Sequence, residues 1–173
     1  MSIDLMHNKS LQRKIAKDAG SAIAPGTTIT PKSHDTDIYE TITNLTSQYS
    51  EIGTWIMKMN NYGNGEGIAH FRVPGEDVQV DESYMLDSVQ ILSSDWESWS
   101  EYVRAFLSNG GVIEAMAERK SYEILSCHLQ ISPDLKMSVV GTTRMVITQD
   151  FRLIFFLAFR RITFLSHLIR DTL

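Results

Sequence analysis

A lysine-bearing apolar run followed by a glycine-rich turn, within residues 53–73, most constrains what this chain can fold into. The run Thr54–Met59 carries Lys58, and a glycine stands at every second position of 63–67 before a second apolar run begins. Such glycines join two strands as a β-hairpin and leave backbone amides exposed at its tip. The segment therefore predicts a flexible flap of the kind that covers a polyphosphate.

Three well-known phosphate-binding motifs differ from this segment in their order. A Walker loop needs Gly-Lys-Ser/Thr at the start of a helix, and a dinucleotide-binding loop has the spacing GxGxxG before a helix. A protein kinase places its glycine loop before the lysine-bearing strand, whereas Lys58 comes first here. Two alternatives remain: a flap in which Lys58 and the amides of 63–67 contact phosphates, or a structural hairpin with an exposed lysine.

Apolar spacing along the rest of the chain predicts an α+β fold with a mostly antiparallel sheet. Helices are predicted over residues 8–19, 37–51 and 95–107, the first with an apolar face of Leu11, Ile15 and Ala19 and the third including Trp96. Strands are predicted over residues 54–59, 68–73, 112–116, 122–131 and 136–147. Residues 25–37 are predicted to be turns and polar chain, and residues 76–93 a loop with some helix.

Composition excludes several classes of function. A formal net charge of -5 argues against a nucleic-acid partner. Cys127 is the single cysteine, which excludes an internal disulfide and a thiolate-bound metal, and no histidines stand at metal-ligand spacing. The N-terminal residues lack the apolar run of a signal peptide, so a cytoplasmic location is expected.

Four short motifs, in order, resemble the ATP-grasp family. They are Asn8-Lys9-Ser10 with the helix after it, Ala24-Pro25-Gly26, the segment GGVIEAM at 110–116, and Ile131-Ser132-Pro133-Asp134. The resemblance covers about residues 2–149 and is closest to the ATP-grasp region of IQ-motif-containing protein H, with SIDLMHNKS at 2–10 and GTWIMKMNN at 53–61 carrying it. More loosely, the chain is similar to carboxylate–amine ligases.

This resemblance implies a partial ATP-grasp-like fold and a set of ATP-binding residues. Lys9 and Lys58 would contact the phosphates of ATP. The flap would consist of Gly63, Asn64, Gly65 and Gly67, and the hinge against adenine and ribose of Glu114, Ala115 and Met116. The family's chemistry is ATP-dependent ligation of a carboxylate to an amine or thiol, with Mg²⁺ between the phosphates. No catalytic residue of this chain is implied.

The last residues depart from the family pattern. Where acidic Mg²⁺ ligands are expected after Gln149, the chain has an apolar tail with four arginines and two aspartates in 150–173. We therefore expect a partial ATP-grasp-like domain over 1–149, truncated, binding ATP without catalysis, and an atypical helical tail over 150–173. The alternatives are a non-catalytic protein-interaction module with an unknown partner, and a membrane anchor formed by 151–173. Calmodulin, a partner that the resemblance suggests, is not expected because the chain lacks an IQ motif.

Overall fold

Two compact units, Met1–Arg119 and Lys120–Leu173, divide the chain. The computed structural model describes residues 7–31, 38–63, 65–73, 80–92, 95–116, 124–147 and 153–156. The expected α+β class with antiparallel sheets is confirmed. The expected boundary between residues 149 and 150 stays a prediction.

The first unit is built on a five-stranded antiparallel sheet with strand order β1-β5-β2-β3-β4. The strands are β1 Gly26–Ile29, β2 Thr54–Met59, β3 Ile68–Arg72, β4 Val89–Ile91 and β5 Gly111–Ala115. The helices are α1 Lys9–Asp18, α2 Ile38–Gln48, α3 Glu82–Ser88 and α4 Trp99–Asn109. Since β2 is central, with β3 on one side and β5 on the other, its side chains are placed by neighbours on both edges.

The core of this unit lies on one face of the sheet. Alternate residues of β2 are buried, and Trp55 and Met57 are fully inaccessible to solvent. They pack with residues of β3 and β5 and with the apolar sides of α2 and α4, including Ile42 and Phe106. The predicted alternation along β2 is therefore confirmed. Lys58 lies on the opposite face of the sheet, outside this core.

Helix α1 lies against the strands β5 and β1 and contributes no fully buried residue. Its start at Asn8 is capped because the Asn8 side chain accepts a hydrogen bond from the N–H of Leu11 at 2.8 Å. The predicted apolar face is wrong, since Ile15 is 55% exposed and Ala19 is exposed as well. Polar contacts, described below, attach this helix to the sheet.

Two other expectations are corrected. Residues predicted as turns include the short strand β1, Gly26–Ile29, which pairs with β5. Helix α4 begins at Trp99, four residues later than predicted, because the Ser98 side chain caps it by accepting from the N–H of Glu101 at 3.3 Å. Trp96 therefore precedes the helix, where its ring packs edge-on against Tyr102 with centroids 5.5 Å apart.

The second unit contains a three-stranded antiparallel sheet in the order β6-β7-β8, formed by Ile124–Ile131, Met137–Ile147 and Leu153–Phe156. The strands β6 and β7 agree with prediction. The prediction of a helical tail is wrong for Leu153–Phe156, which pair as a strand with β7. The rest of the predicted tail lies outside the described residues. Among the described residues, no helix has the length and apolar character needed to cross a membrane.

Candidate functional site

Four charged side chains meet on the sheet face opposite the core. Lys9 and Arg13 come from α1, Lys58 from β2 and Glu114 from β5, and all four line one pocket of about 230 Å³. Uncharged residues complete its wall, among them Val112. Three residues that the ATP-grasp resemblance implied as ATP-binding, Lys9, Lys58 and Glu114, are thus brought together by the fold.

The antiparallel register explains why Lys58 and Glu114 meet. Lys58 stands opposite Val112, and Ile56 stands opposite Glu114, so the lysine and the glutamate are diagonal neighbours on one face. The Lys58 ammonium donates to a Glu114 carboxylate oxygen over 2.9 Å. On the other side of β5, Gly26 stands opposite Glu114, and a Cβ added to Gly26 would lie 2.2 Å from the Ile113 carbonyl oxygen, so only glycine allows this close pairing.

Arg13 completes the cluster and was not among the predicted site residues. One terminal nitrogen of its guanidinium donates to Glu114 over 2.7 Å. The other donates to the carbonyl oxygens of Ala24 and Gly26 over 2.8 and 3.0 Å. The Arg13 side chain is only 11% exposed. Its position four residues after Lys9 in a predicted helix was a signal that both cations share one side.

The charges of this cluster shift two pKa values. Burial by itself would raise the pKa of the Glu114 carboxyl, but the Lys58 ammonium and the Arg13 guanidinium hold that pKa below its usual value. Burial, and secondarily the charge of Lys58, lowers the pKa of the Lys9 ammonium. Lys9, Arg13 and Lys58 place three positive charges around the one carboxylate of Glu114. The net positive charge of these four side chains favours an anionic ligand.

Asn60, at the end of β2, holds the start of α1 beside Lys58. It is 2% exposed, and its side-chain oxygen accepts from the backbone N–H and the hydroxyl of Ser10 at 3.0 and 3.1 Å. Its side-chain amide donates to the Asn109 carbonyl at 3.2 Å. Because Lys9 directly precedes Ser10, this network fixes the distance between the two lysine-bearing elements. The sequence contained no signal for it.

The glycine turn between β2 and β3 is partly packed rather than fully open. Gly67 is buried with φ of +68°, a Cβ there would lie 2.8 Å from the Tyr62 ring, and its carbonyl accepts from the N–H of Met59 at 2.9 Å. The Tyr102 hydroxyl, buried in the core, lies 3.2 Å from the same Gly67 carbonyl. Gly65 instead has open space around its Cα. A ligand could therefore be contacted most easily by the tip of the turn, at Gly65.

The remaining predicted flap and hinge residues are Gly63, Asn64, Ala115 and Met116. Gly63 follows β2 and accepts through its carbonyl from the N–H of Glu66 at 2.9 Å, and Asn64 lies outside the described residues. The N–H groups of Ala115 and Met116 donate to Pro25 and Thr54 at 2.8 and 2.9 Å. Their roles in nucleotide binding stay predictions, and contact through those two amides would require these sheet bonds to open.

The Mg²⁺ that the resemblance implies for the family was given no ligands in the sequence of this chain. Across the described ranges, no three side chains of His, Cys, Asp or Glu are grouped as a metal site would require. Glu114, the acid of the charged pocket, already has Lys58 and Arg13 as partners. We therefore assign no residue of the described chain to Mg²⁺.

Comparison with known proteins agrees with this architecture. Residues 77–155 match the family model described as IQCH-like, ATP-grasp. The solved ADP complex of purK, N5-carboxyaminoimidazole ribonucleotide synthetase, is similar in fold with a TM-score of 0.56 and 12% sequence identity. The chain has a partial ATP-grasp fold. The similarity covers 96% of this chain and 36% of the synthetase chain.

The two comparisons cover the site differently. The family match includes Glu114, Ala115 and Met116, whereas Lys9 and Lys58 precede it. At 12% identity the likeness to the synthetase shows the fold of this chain. A search of the curated proteins found no significant match.

Proposed function

We propose that this ATP-grasp domain binds ATP, with the phosphates in the pocket between α1 and the face of β2 and β5. The observation that carries the proposal is the convergence of Lys9, Arg13 and Lys58 around the single carboxylate of Glu114 in one pocket. A half-buried group of cations with excess positive charge is suited to a polyphosphate because water screens it less than exposed lysines. The synthetase of similar fold is described as an ADP complex, which supports a nucleotide ligand.

The two lysines have different roles in this proposal. Lys58 is 33% exposed, so its ammonium already faces the pocket and can reach a phosphate oxygen without rearrangement of β2. Lys9 lies in the first turn of α1, where the backbone N–H groups and the helix dipole also favour an anion. The flap residues Gly63, Asn64, Gly65 and Gly67 would cover the outer phosphates. The hinge residues Ala115 and Met116 would face adenine and ribose, while the Glu114 carboxylate stays at the phosphate end beside Lys58.

Replacing Lys58 tests the proposal. We expect Lys58→Ala to weaken ATP binding about tenfold, since a charge-assisted hydrogen bond contributes roughly 1.5–3 kcal/mol, part of which water recovers. Lys14→Ala is the matched control, because Lys14 lies on helix α1 beside the pocket and is 68% exposed. The ATP affinity of Lys14→Ala should stay within about twofold of that of the parent. Isothermal titration with ATP, with and without Mg²⁺, measures both. An unchanged affinity of Lys58→Ala, or no binding by the parent, would refute the proposal.

Lys9 gives the proposed site a dependence on pH. Its pKa is lowered in the free protein by burial and by Lys58, and a bound phosphate would raise it again. The complex then binds more protons than the free protein, so ATP affinity should fall as pH rises through the lowered pKa of Lys9. Titration in two buffers of different ionisation enthalpy, at a pH where the terminal phosphate is fully ionised, measures this proton uptake.

The control for this dependence is Lys9→Arg, which keeps the charge but stays protonated throughout. We expect the proton uptake on ATP binding to be lost in this variant while binding itself remains. Equal proton uptake by Lys9→Arg and the parent would show that Lys9 does not face the phosphates.

We further propose that this chain binds ATP without turning it over. The family's ligation of a carboxylate to an amine or thiol depends on Mg²⁺ held between the phosphates. The described residues offer no grouped ligands for that ion. Phosphate release measured on the same samples should therefore stay at the rate of protein-free ATP, and release abolished by Lys58→Ala would contradict this. The cytoplasmic location and the absence of a nucleic-acid partner remain predictions.

A protein-interaction module is the second candidate. One observation favours it: in the second unit, paired apolar residues on one face of β6 and β7 are 40–66% exposed. These residues are Leu129, Ile131, Met137 and Val139. An exposed apolar sheet face is a common feature of interaction surfaces. A parent chain that binds no ATP would favour this second candidate over the first.

A further inference from the structure

Arg13 is enclosed to a degree that a simple phosphate-binding residue does not require. Its guanidinium donates to three groups of the protein: Glu114 through one terminal nitrogen, and the carbonyls of Ala24 and Gly26 through the other. The guanidinium thus joins helix α1 to the chain entering β1 and to β5. With 11% of its side chain exposed, Arg13 has little surface left to offer a ligand.

Glu114 is held between two cations that differ in their freedom. Its carboxylate is 17% exposed, one oxygen accepts from Arg13 at 2.7 Å, and the other accepts from Lys58 at 2.9 Å. Arg13 is anchored by two backbone carbonyls, whereas the Lys58 ammonium pairs with Glu114 and is the more exposed of the two cations. If one pair opens, it is the pair with Lys58, because a flexible ammonium can turn away while the anchored guanidinium cannot.

We propose that Arg13 is a positioning residue for ATP binding, which retains Glu114 when the phosphates of ATP take over Lys58. This inference rests on the proposed function. In the free protein Glu114 holds the Lys58 ammonium at the pocket. An incoming polyphosphate competes with Glu114 for that ammonium, and the largely buried carboxylate would then lack a counter-ion. Arg13 supplies it, so the release of Lys58 leaves no unpaired buried charge.

The proposal predicts opposite effects for the two partners. Glu114→Gln removes the anion that competes for Lys58, so ATP should bind about fivefold more tightly, the size of a partly exposed ion pair. Arg13→Gln leaves Glu114 with Lys58 as its remaining partner, so ATP should bind about fivefold more weakly. In a Glu114→Gln background the Arg13→Gln change should alter affinity by no more than about twofold, because there is no carboxylate left to retain.

Arg13→Lys separates positioning from charge. Lysine keeps the positive charge but cannot donate to the carboxylate and the two carbonyls in the geometry of the guanidinium. We expect ATP affinity to fall about threefold in Arg13→Lys, whereas a residue acting only through its charge would tolerate the change. Thermal unfolding of each variant shows that it is folded at the temperature of the titration.

A measurement without nucleotide completes the test. The ¹³C resonance of the Glu114 side-chain carboxyl, followed against pH in ATP-free protein, should show a lowered pKa in the parent and a higher one in Arg13→Gln. No difference between them would overturn the inference, as would an equal loss of ATP affinity on Arg13→Gln in both backgrounds. If the parent binds no ATP at all, the proposed function itself fails and this inference fails with it, a result distinct from the other two.

Discussion

Asn60→Ala is expected to destabilise the first unit by about 3 kcal/mol and to lower its melting temperature by roughly 10 °C. The side chain is buried and makes three hydrogen bonds, two to Ser10 and one to the Asn109 carbonyl. Its removal leaves the part-buried N–H of Ser10 and carbonyl of Asn109 without this partner, which costs more than the net contribution of the bonds themselves. Chemical denaturation followed by circular dichroism, together with thermal unfolding, gives both values.

Asn61→Gly is the matched control for this change. Asn61 is the next residue, is exposed and has φ of +65°, a conformation that glycine adopts without cost. Its replacement should change the free energy of unfolding by no more than about 0.5 kcal/mol. If Asn60→Ala were as mild as this control, the Asn60 network would not hold α1 to the sheet. ATP affinity should fall with Asn60→Ala as well, because Lys9 would lose its fixed position.

The expected loss of stability on Asn60→Ala is large because of the way in which α1 is attached to the sheet. A helix on the surface of a domain is ordinarily held by an apolar stripe, but α1 buries none of its residues fully. Ser10 joins it to Asn60 and Gly111, and Arg13 joins it to Glu114. The contacts that fix the helix are therefore the contacts that shape the pocket, so stability and nucleotide affinity should change together in this region.

Much of the fold was predictable because its strands and helices have clear periodic patterns. The alternation along Thr54–Met59 identified both the strand and the side on which Lys58 lies. Apolar spacing also located α2, and the sequence resemblance to ATP-grasp domains selected Lys9, Lys58 and Glu114, which line one pocket. Alternation, apolar spacing and short motifs are properties of residues close together in the chain, so one sequence is enough to reveal them.

The features that were missed depend on residues far apart in the chain. Strand β1 has four residues and exists because β5 pairs with it. The partners of Arg13 and Asn60 are set by strand register, since Glu114 lies 101 residues after Arg13. The predicted apolar face of α1 failed for the same reason: periodicity shows that a face exists, and only tertiary contacts decide which face is covered.

Gly111→Ala should cause a similarly large loss, at least about 3 kcal/mol, for a steric reason. Gly111 begins β5 and lies between β1 and β2. A Cβ at this position would lie 2.3 Å from the Lys58 carbonyl oxygen and 2.7 Å from the Phe106 ring. The obstacle at 2.3 Å is backbone, so relief requires β2 and β5 to separate at the residue that carries the proposed phosphate contact. Denaturant unfolding and ATP titration should therefore both show the damage.

Gly53→Ala distinguishes this collision from a general effect of replacing glycine. Gly53 precedes β2, does not have a positive φ, and a Cβ added to it would meet no heavy atom within 4 Å. Alanine there should be neutral to within about 0.5 kcal/mol, because the substitution mainly restricts the unfolded chain. Equal stability of Gly111→Ala and Gly53→Ala would mean that β2 and β5 do not pair in this register. The alignment of Lys58 with Glu114 would then be lost, and with it the geometric basis of the proposed ATP site.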